Sequence, residues 1–182
     1  QSNVILGEDR ETDWDELKGK IENLYTTWTT IAIDLKELDI SSEELNLFSQ
    51  KLDDVAVTIK NEEKNATLNN IIDLYEFLPK FTDKYGADKE KILLESKYNL
   101  LQCYKYAELE DWEQLSNSVS NLKISFSNIT NKKDEFKGKD INIKSAGVII
   151  NEMNNSVNIK DKDVFFIKYK ILMQEFNTIT GA

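Results

Sequence analysis

The side chains that could do chemistry in this chain are few, and their spacing limits them further. There is no histidine, which removes the commonest general base, the Ser–His and Cys–His nucleophile pairs, and most zinc, copper and haem ligation. Cys103 is the only cysteine. It can form no internal disulfide, and it sits on an apolar helical run, which reads as a small buried residue rather than a reactive thiol. Lys105 is close in sequence, but neighbours two apart on a helix do not face each other.

Carboxylates occur in adjacent pairs: Glu43-Glu44, Asp53-Asp54, Glu62-Glu63 and Glu110-Asp111. Adjacent helical residues diverge by about 100°, so such a pair forms no acid–base site by itself. Most of them fall near helix starts, where negative charge meets the favourable end of the dipole. They therefore read as caps and solvated faces. Glu95 stands out because it abuts Leu94 and Tyr98. A buried carboxylate there would be a candidate site, although a side chain that reaches out to solvent is the simpler reading.

The segment Asp83 to Glu90 has acids and a glycine without the D-x-D-x-D-G spacing of a calcium loop. Phosphate-cradling glycine motifs and G-x-S-x-G are absent. No catalytic residue, metal ligand or cofactor is therefore assigned. The sequons at Asn65, Asn128 and Asn154 are what chance supplies in an asparagine-rich chain. Tyr25, Trp28, Tyr75, Tyr98 and Trp112 fall on or beside expected inner stripes. They could line a ligand pocket between helices, but aromatic stripes at helical spacing ordinarily form core.

The elements that would position these groups are helices. A single proline and six glycines in 182 residues leave little punctuation for strands and tight turns. Trp14, Leu17, Ile21, Leu24, Trp28, Ile31, Leu35 and Leu38 alternate steps of three and four. That spacing predicts one buried stripe on a helix from Thr12 to Leu38, with Thr12 and Asp15 as a capping box. Ser41 and Glu44 cap a second helix whose face is Leu45, Phe48, Leu52, Val55 and Ile59, ending near Asn61. A third run holds Leu68, Ile71, Tyr75 and Leu78 and contains Pro79, which predicts a kink or break near Leu78. Tyr85-Gly86-Ala87-Asp88 reads as a glycine stop followed by a new cap.

A fourth run follows on Leu94, Tyr98 and Leu101, widened by Leu93, Leu100 and Tyr104. Asp111 caps a fifth run through Trp112, Leu115, Val119, Leu122, Phe126 and Ile129. Lys132 to Asp140 is expected to be a loop and possible linker. The tail carries a weaker run through Ala146, Ile149, Ile150, Met153 and Val157. Its last helix is capped by Asp161 and faced by Phe165, Tyr169, Leu172, Phe176 and Ile179. Two alternatives stay open: a short strand at Gly147-Val148-Ile149-Ile150, and a coiled coil, which the frequent caps and short runs disfavour. The expected fold is all-α, an antiparallel helix bundle or helical-hairpin array of six or seven helices, forming a single domain over 4–182.

Charge narrows the partners. The net charge is −10, which repels phosphate backbones and anionic lipid, so no nucleic acid is expected. Of 23 basic residues only Arg10 is arginine, a bias typical of AT-rich genomes. No run approaches the roughly 18 apolar residues of a membrane-crossing helix. Gln1-Ser2-Asn3 reads as the scar of a protease site.

Tyr98-x-x-Leu101 through Tyr106, followed by Asp111-Trp112-Glu113, resembles the turn of a tetratricopeptide-type hairpin. No 34-residue period recurs, and Leu115 stands where that family prefers alanine, so it reads as a generic hairpin. A second resemblance spans 14–130. The Trp28 seam, Leu74-Tyr75-Glu76-Phe77-Leu78-Pro79, Lys97-Tyr98 and Asp111-Trp112 together resemble helical domains of secreted lipoproteins of AT-rich Gram-positive bacteria. That resemblance implies a helical fold and an extracytoplasmic address, with the membrane reached only through a removed N-terminal lipid anchor. It implies no functional residue. The expected function is non-enzymatic binding of a partner protein or small ligand. The alternative is a cytoplasmic hairpin scaffold for protein–protein interaction, and the third reading is a carboxylate-based enzyme or metal site.

Overall fold

The structure, a computed structural model, describes residues 12–84 and 88–181. The described residues form seven α-helices and no strand: α1 Trp14–Glu37, α2 Ser42–Lys60, α3 Lys64–Lys84, α4 Asp88–Glu108, α5 Trp112–Asn131, α6 Asp140–Ile159 and α7 Lys162–Thr180. The chain is thus all-α, as its periodicity requires. It divides into two compact units, 1–86 and 87–182.

Local chemistry sets the helix starts. Ser41 and Glu44 form the full capping box, and the carboxylates of Asp111 and Asp161 accept from the backbone N–H of Gln114 and Val164 at 3.1 and 2.9 Å. At α1 the expected frame moves by one residue. Asp13, not Thr12, is the cap, accepting from the Glu16 N–H at 2.9 Å, because a charged oxygen gains more from the helix dipole than a hydroxyl does.

Pro79 does not break α3, which runs continuously to Lys84. The helix forgoes the one bond that Pro79 cannot donate and continues. The Thr82 hydroxyl donates to the Pro79 carbonyl at 2.8 Å. The glycine stop at Tyr85-Gly86-Ala87 lies outside the described residues. Gly147-Val148-Ile149-Ile150 is helical within α6. Its β-branched side chains lie on a helix whose inner face, Ile143, Ala146, Ile150, Met153 and Val157, is buried, and that packing overrides the local strand preference. The expected loop at 132–140 contains a 3₁₀ turn at Lys133–Glu135 and seats Phe136 almost completely buried.

Four hairpin turns close in the same way. Each helix ends in a residue with left-handed backbone, Asp39, Glu62, Glu110 and Lys160, at φ 60°, 59°, 53° and 53°. The next N–H reaches back to a carbonyl of the last turn: Ile40 to Leu35, Glu63 to Thr58, Asp111 to Tyr106, Asp161 to Ser156. This is the Schellman closure, made four times without the glycine that usually supplies it.

In the first unit α2 packs against both α1 and α3. Its centre is aromatic. Trp28 of α1 lies 4.2 Å from Phe48 of α2 and 6.0 Å from Phe81 of α3, ring centre to ring centre, and Phe48 meets Phe81 edge-on at 5.5 Å. The Trp28 Nε1–H donates to Ser49 Oγ at 2.9 Å, so burying this ring orphans no donor. The expected stripe of α1 is only half used. Leu17, Ile21, Trp28 and Leu35 are buried, whereas Leu24, Ile31 and Leu38 remain 40%, 41% and 38% exposed. The core selects the side of the stripe that turns toward α2, where Tyr25 and Ala32 also pack.

In the second unit α4 packs on α5, α5 on α6, α6 on α7, and α7 returns to α4. The four helices close a ring around Leu100, Cys103, Leu115, Leu122, Met153, Phe165, Leu172 and Phe176, the arrangement of an antiparallel four-helix bundle. The buried face of α4 is centred on the residues expected to widen it: Leu93, Leu100 and Tyr104 are buried together with Leu101, while Leu94 and Tyr98 are half-buried.

Candidate functional site

The groups singled out for chemistry are dispersed over the helices, and several of them have structural tasks. Cys103 is wholly buried, and that burial pushes its thiol well above the usual range. It is held protonated and closed to solvent, the setting of an inert core thiol.

The carboxylate pairs do not converge. Glu44 completes a capping box and Glu43 lies in the same first turn. Asp53 accepts from the Tyr25 hydroxyl at 2.5 Å, while the Asp54 backbone carbonyl accepts from Asn70 at 3.0 Å. Glu62 closes a turn and accepts from Lys18 at 3.2 Å, and Glu63 accepts from the Asn61 side chain at 3.3 Å. Glu110 closes the next turn and Asp111 caps α5. Glu95 is half-buried on α4. Among the described residues no three His, Cys, Asp or Glu side chains stand close enough to hold a metal ion. Part of the Asp83–Glu90 segment lies outside the described residues. Asp88 pairs with Lys132 at 2.8 Å, which holds its carboxyl below the usual range.

The aromatic candidates separate by unit. Trp28 is core, and Tyr25 bridges α1 to α2. Partial burial and the bond to Asp53 push the Tyr25 hydroxyl up to about 12. Tyr75 is half-buried, and burial raises its hydroxyl as well. In the second unit the Tyr98 hydroxyl accepts from Gln102 at 2.9 Å on the same helix, and Trp112 is half-buried in the first turn of α5. The sequon asparagines Asn65, Asn128 and Asn154 are exposed on α3, α5 and α6.

Two polar clusters escaped the sequence reading because their members lie far apart in the chain. At the first, the Tyr104 hydroxyl donates to Glu108 at 2.9 Å, and Lys162 at the start of α7 donates to the same carboxylate at 3.1 Å and to the Glu108 backbone carbonyl at 3.4 Å. Phe166 and Tyr169 stand against the Tyr104 ring at 5.2 and 5.5 Å. Burial, then the charge of Glu108, raise the Tyr104 hydroxyl far above its ordinary value, so it donates and does not act as a base. At the second, Glu175 of α7 accepts from Asn142 at 2.7 Å and Ser145 at 2.8 Å, both on α6. Each cluster joins two helices of the bundle. The local signals are the i, i+4 spacing of Tyr104 and Glu108 and the i, i+3 spacing of Asn142 and Ser145, both too common to mark a cluster. No helix among the described residues is long and apolar enough to cross a membrane.

Compared with known protein families, with curated proteins and with solved structures, the chain matches none of them.

Proposed function

We propose that this chain is a non-enzymatic helical binding domain, carried outside the cell membrane as part of a lipoprotein, that engages a partner protein or small ligand. The observation that carries the reading is the fate of the reactive side chains. The sequence has no histidine, and the groups it singles out for chemistry are Cys103 and the paired carboxylates. Cys103 is sealed in the bundle core, and the paired carboxylates serve as caps, turn residues and ion-pair partners. The address rests on the resemblance over 14–130 alone. Detergent phase partitioning of the native protein after cell fractionation tests it. Recovery in the detergent phase, accessible to protease on intact cells, is the expected result, and recovery in the cytosol overturns the extracytoplasmic reading.

A second reading, an intracellular scaffold built of helical hairpins, draws on the fourfold repetition of the same turn closure. Cytosolic recovery together with capture of an intracellular protein would favour it.

A further inference from the structure

The residues of α1 follow a strict heptad, with Trp14, Ile21, Trp28 and Leu35 on one line and Leu17, Leu24, Ile31 and Leu38 on the next. Such a double line is the seam of a coiled coil. The core of the first unit uses the first line and the residues turned toward α2: Lys18 reaches Glu62 at 3.2 Å, Tyr25 reaches Asp53, and Trp28 reaches Ser49. At about 100° per residue the second line lies on the opposite side of the Ile21–Trp28–Leu35 line from Lys18 and Tyr25. Leu24, Ile31 and Leu38 are left about two-fifths exposed there. They form an apolar edge about 21 Å long at 1.5 Å per residue, which is the length of two heptads.

The unit that carries this edge is strongly acidic. Residues 1–86 carry 19 acidic and 9 basic side chains, while residues 87–182 carry 14 of each. The whole net charge of the chain therefore belongs to the unit that holds the edge. Helical geometry places Glu16, Lys20, Thr27 and Asp34 along its outer border. Lys20 is paired to Glu16 at 2.7 Å, so the acids of the border are only half answered, and Asp34 is exposed.

We propose that the Leu24–Ile31–Leu38 edge of α1 docks an amphipathic helix of a partner protein, its apolar face set at heptad spacing and its flanks rich in lysine or arginine. The proposal rests on the binding-domain reading above and specifies its partner class. An apolar edge supplies the contact, and the acidic field selects cationic flanks and speeds encounter. A second copy of this chain would bring an equally acidic unit against the edge, which the same field opposes.

The test uses the full chain and two synthetic helices of about 21 residues, with leucine at a and d and either lysine or glutamate at e and g. Binding is read by calorimetry at low and at physiological salt. The lysine helix is expected to bind at least tenfold more tightly than the glutamate helix. Leu24→Glu/Ile31→Glu is expected to weaken lysine-helix binding at least tenfold even though it adds negative charge, which isolates the apolar contact from simple attraction. Leu24→Ala/Ile31→Ala serves should the first variant misfold, and Ile124→Glu/Ile167→Glu, in the neutral unit, is expected to leave binding unchanged.

Equal binding of the lysine helix to wild type and edge variants would reduce the effect to charge and overturn the proposal. So would binding of neither helix, or a dimer in sedimentation that the edge variants abolish. None of these results bears on the fractionation outcome, so this proposal can fail while the extracytoplasmic reading stands, and the reverse.

Discussion

Lys162, in the first turn of α7, donates to Glu108, in the last turn of α4, at 3.1 Å, joining residues 54 apart in the sequence. The second oxygen of the same carboxylate accepts from Tyr104. The pair is partly exposed, at 33% and 25% of the two side chains, so the ionic part alone is worth at most about 1 kcal/mol. Removing the acceptor costs more, because the Tyr104 hydroxyl is buried. Glu108→Ala is expected to lower unfolding free energy by about 1–3 kcal/mol, and Lys162→Met by about 0.5 kcal/mol. Urea denaturation measures both. Equal losses would show that Tyr104 does not depend on this carboxylate.

The chain places glycine where it is not needed and omits it where it is. Gly19 and Gly147 lie inside helices. An added Cβ meets nothing within 4 Å at Gly19, and only the Phe126 ring at 3.7 Å, an ordinary contact, at Gly147. Gly19→Ala and Gly147→Ala should each stabilise by about 0.5–1 kcal/mol. Conversely, Asp39 and Glu110 hold left-handed backbone and set negative charge at a helix C-terminus. Asp39→Gly and Glu110→Gly should each gain about 1 kcal/mol. Lys160→Gly should gain less, since its charge suits the dipole. Thermal melts check the order, and a loss at Glu110→Gly would contradict the turn geometry.

Ser96 is fully buried with its hydroxyl unpartnered among the described residues. The buried Ser125 hydroxyl accepts from Asn99 at 3.1 Å and donates to the Leu122 carbonyl at 3.0 Å. Replacement by alanine should therefore have opposite effects. Ser96→Ala is expected to be neutral or to stabilise by up to about 1 kcal/mol, and Ser125→Ala to cost about 1 kcal/mol. Matched denaturation curves decide, and a larger loss at Ser96 would mean that its hydroxyl has an acceptor.

Tyr25 gives the first unit an alkaline limit. Its hydroxyl is raised from 10.0 to about 12 by burial and by Asp53. Folding therefore favours the protonated form. The stability this contributes is complete below pH 10 and is lost as the pH rises through about 12. Tyr25→Phe should remove that part of the pH dependence, and tyrosinate absorbance should show one fewer late-titrating group. An unchanged alkaline profile in the variant would place the dependence elsewhere.

Cys103 reports on unfolding. Being wholly buried, it should react with a thiol reagent only through opening of the bundle. Its labelling in native buffer should slow by the factor that global stability sets. Fast native labelling would mean that α4 opens locally.

How much was legible varies by helix. Every residue of the expected stripes of α2 and α7 is buried, Leu45, Phe48, Leu52, Val55 and Ile59, and Phe165, Tyr169, Leu172, Phe176 and Ile179, and each helix buries one residue more, Thr58 and Met173. Each of these helices presents a single face to its neighbours, and a pattern of threes and fours encodes one face completely. The expected stripe of α1 is wider than the buried one, and on α4 the residues expected to widen the face are its centre, because a double row of apolar residues does not say which row the neighbours will cover. The Tyr104–Glu108–Lys162 and Asn142–Ser145–Glu175 clusters are not legible in the sequence, because each is completed by a common polar residue 30 or more positions away.

By itself the sequence determined that the chain is helical, where most helices start, and that histidine chemistry is excluded. Those properties depend on residue type and on spacing within a turn or two, where backbone sterics and capping act. Only the tertiary structure decided that α4 to α7 close into a ring, that Phe136 is buried within the segment expected to be a loop, and that Leu24, Ile31 and Leu38 stay open to solvent. Each of these depends on which surface of a neighbouring helix is presented to the residue. That is set by the packing of many side chains at once and is written in no short stretch of sequence.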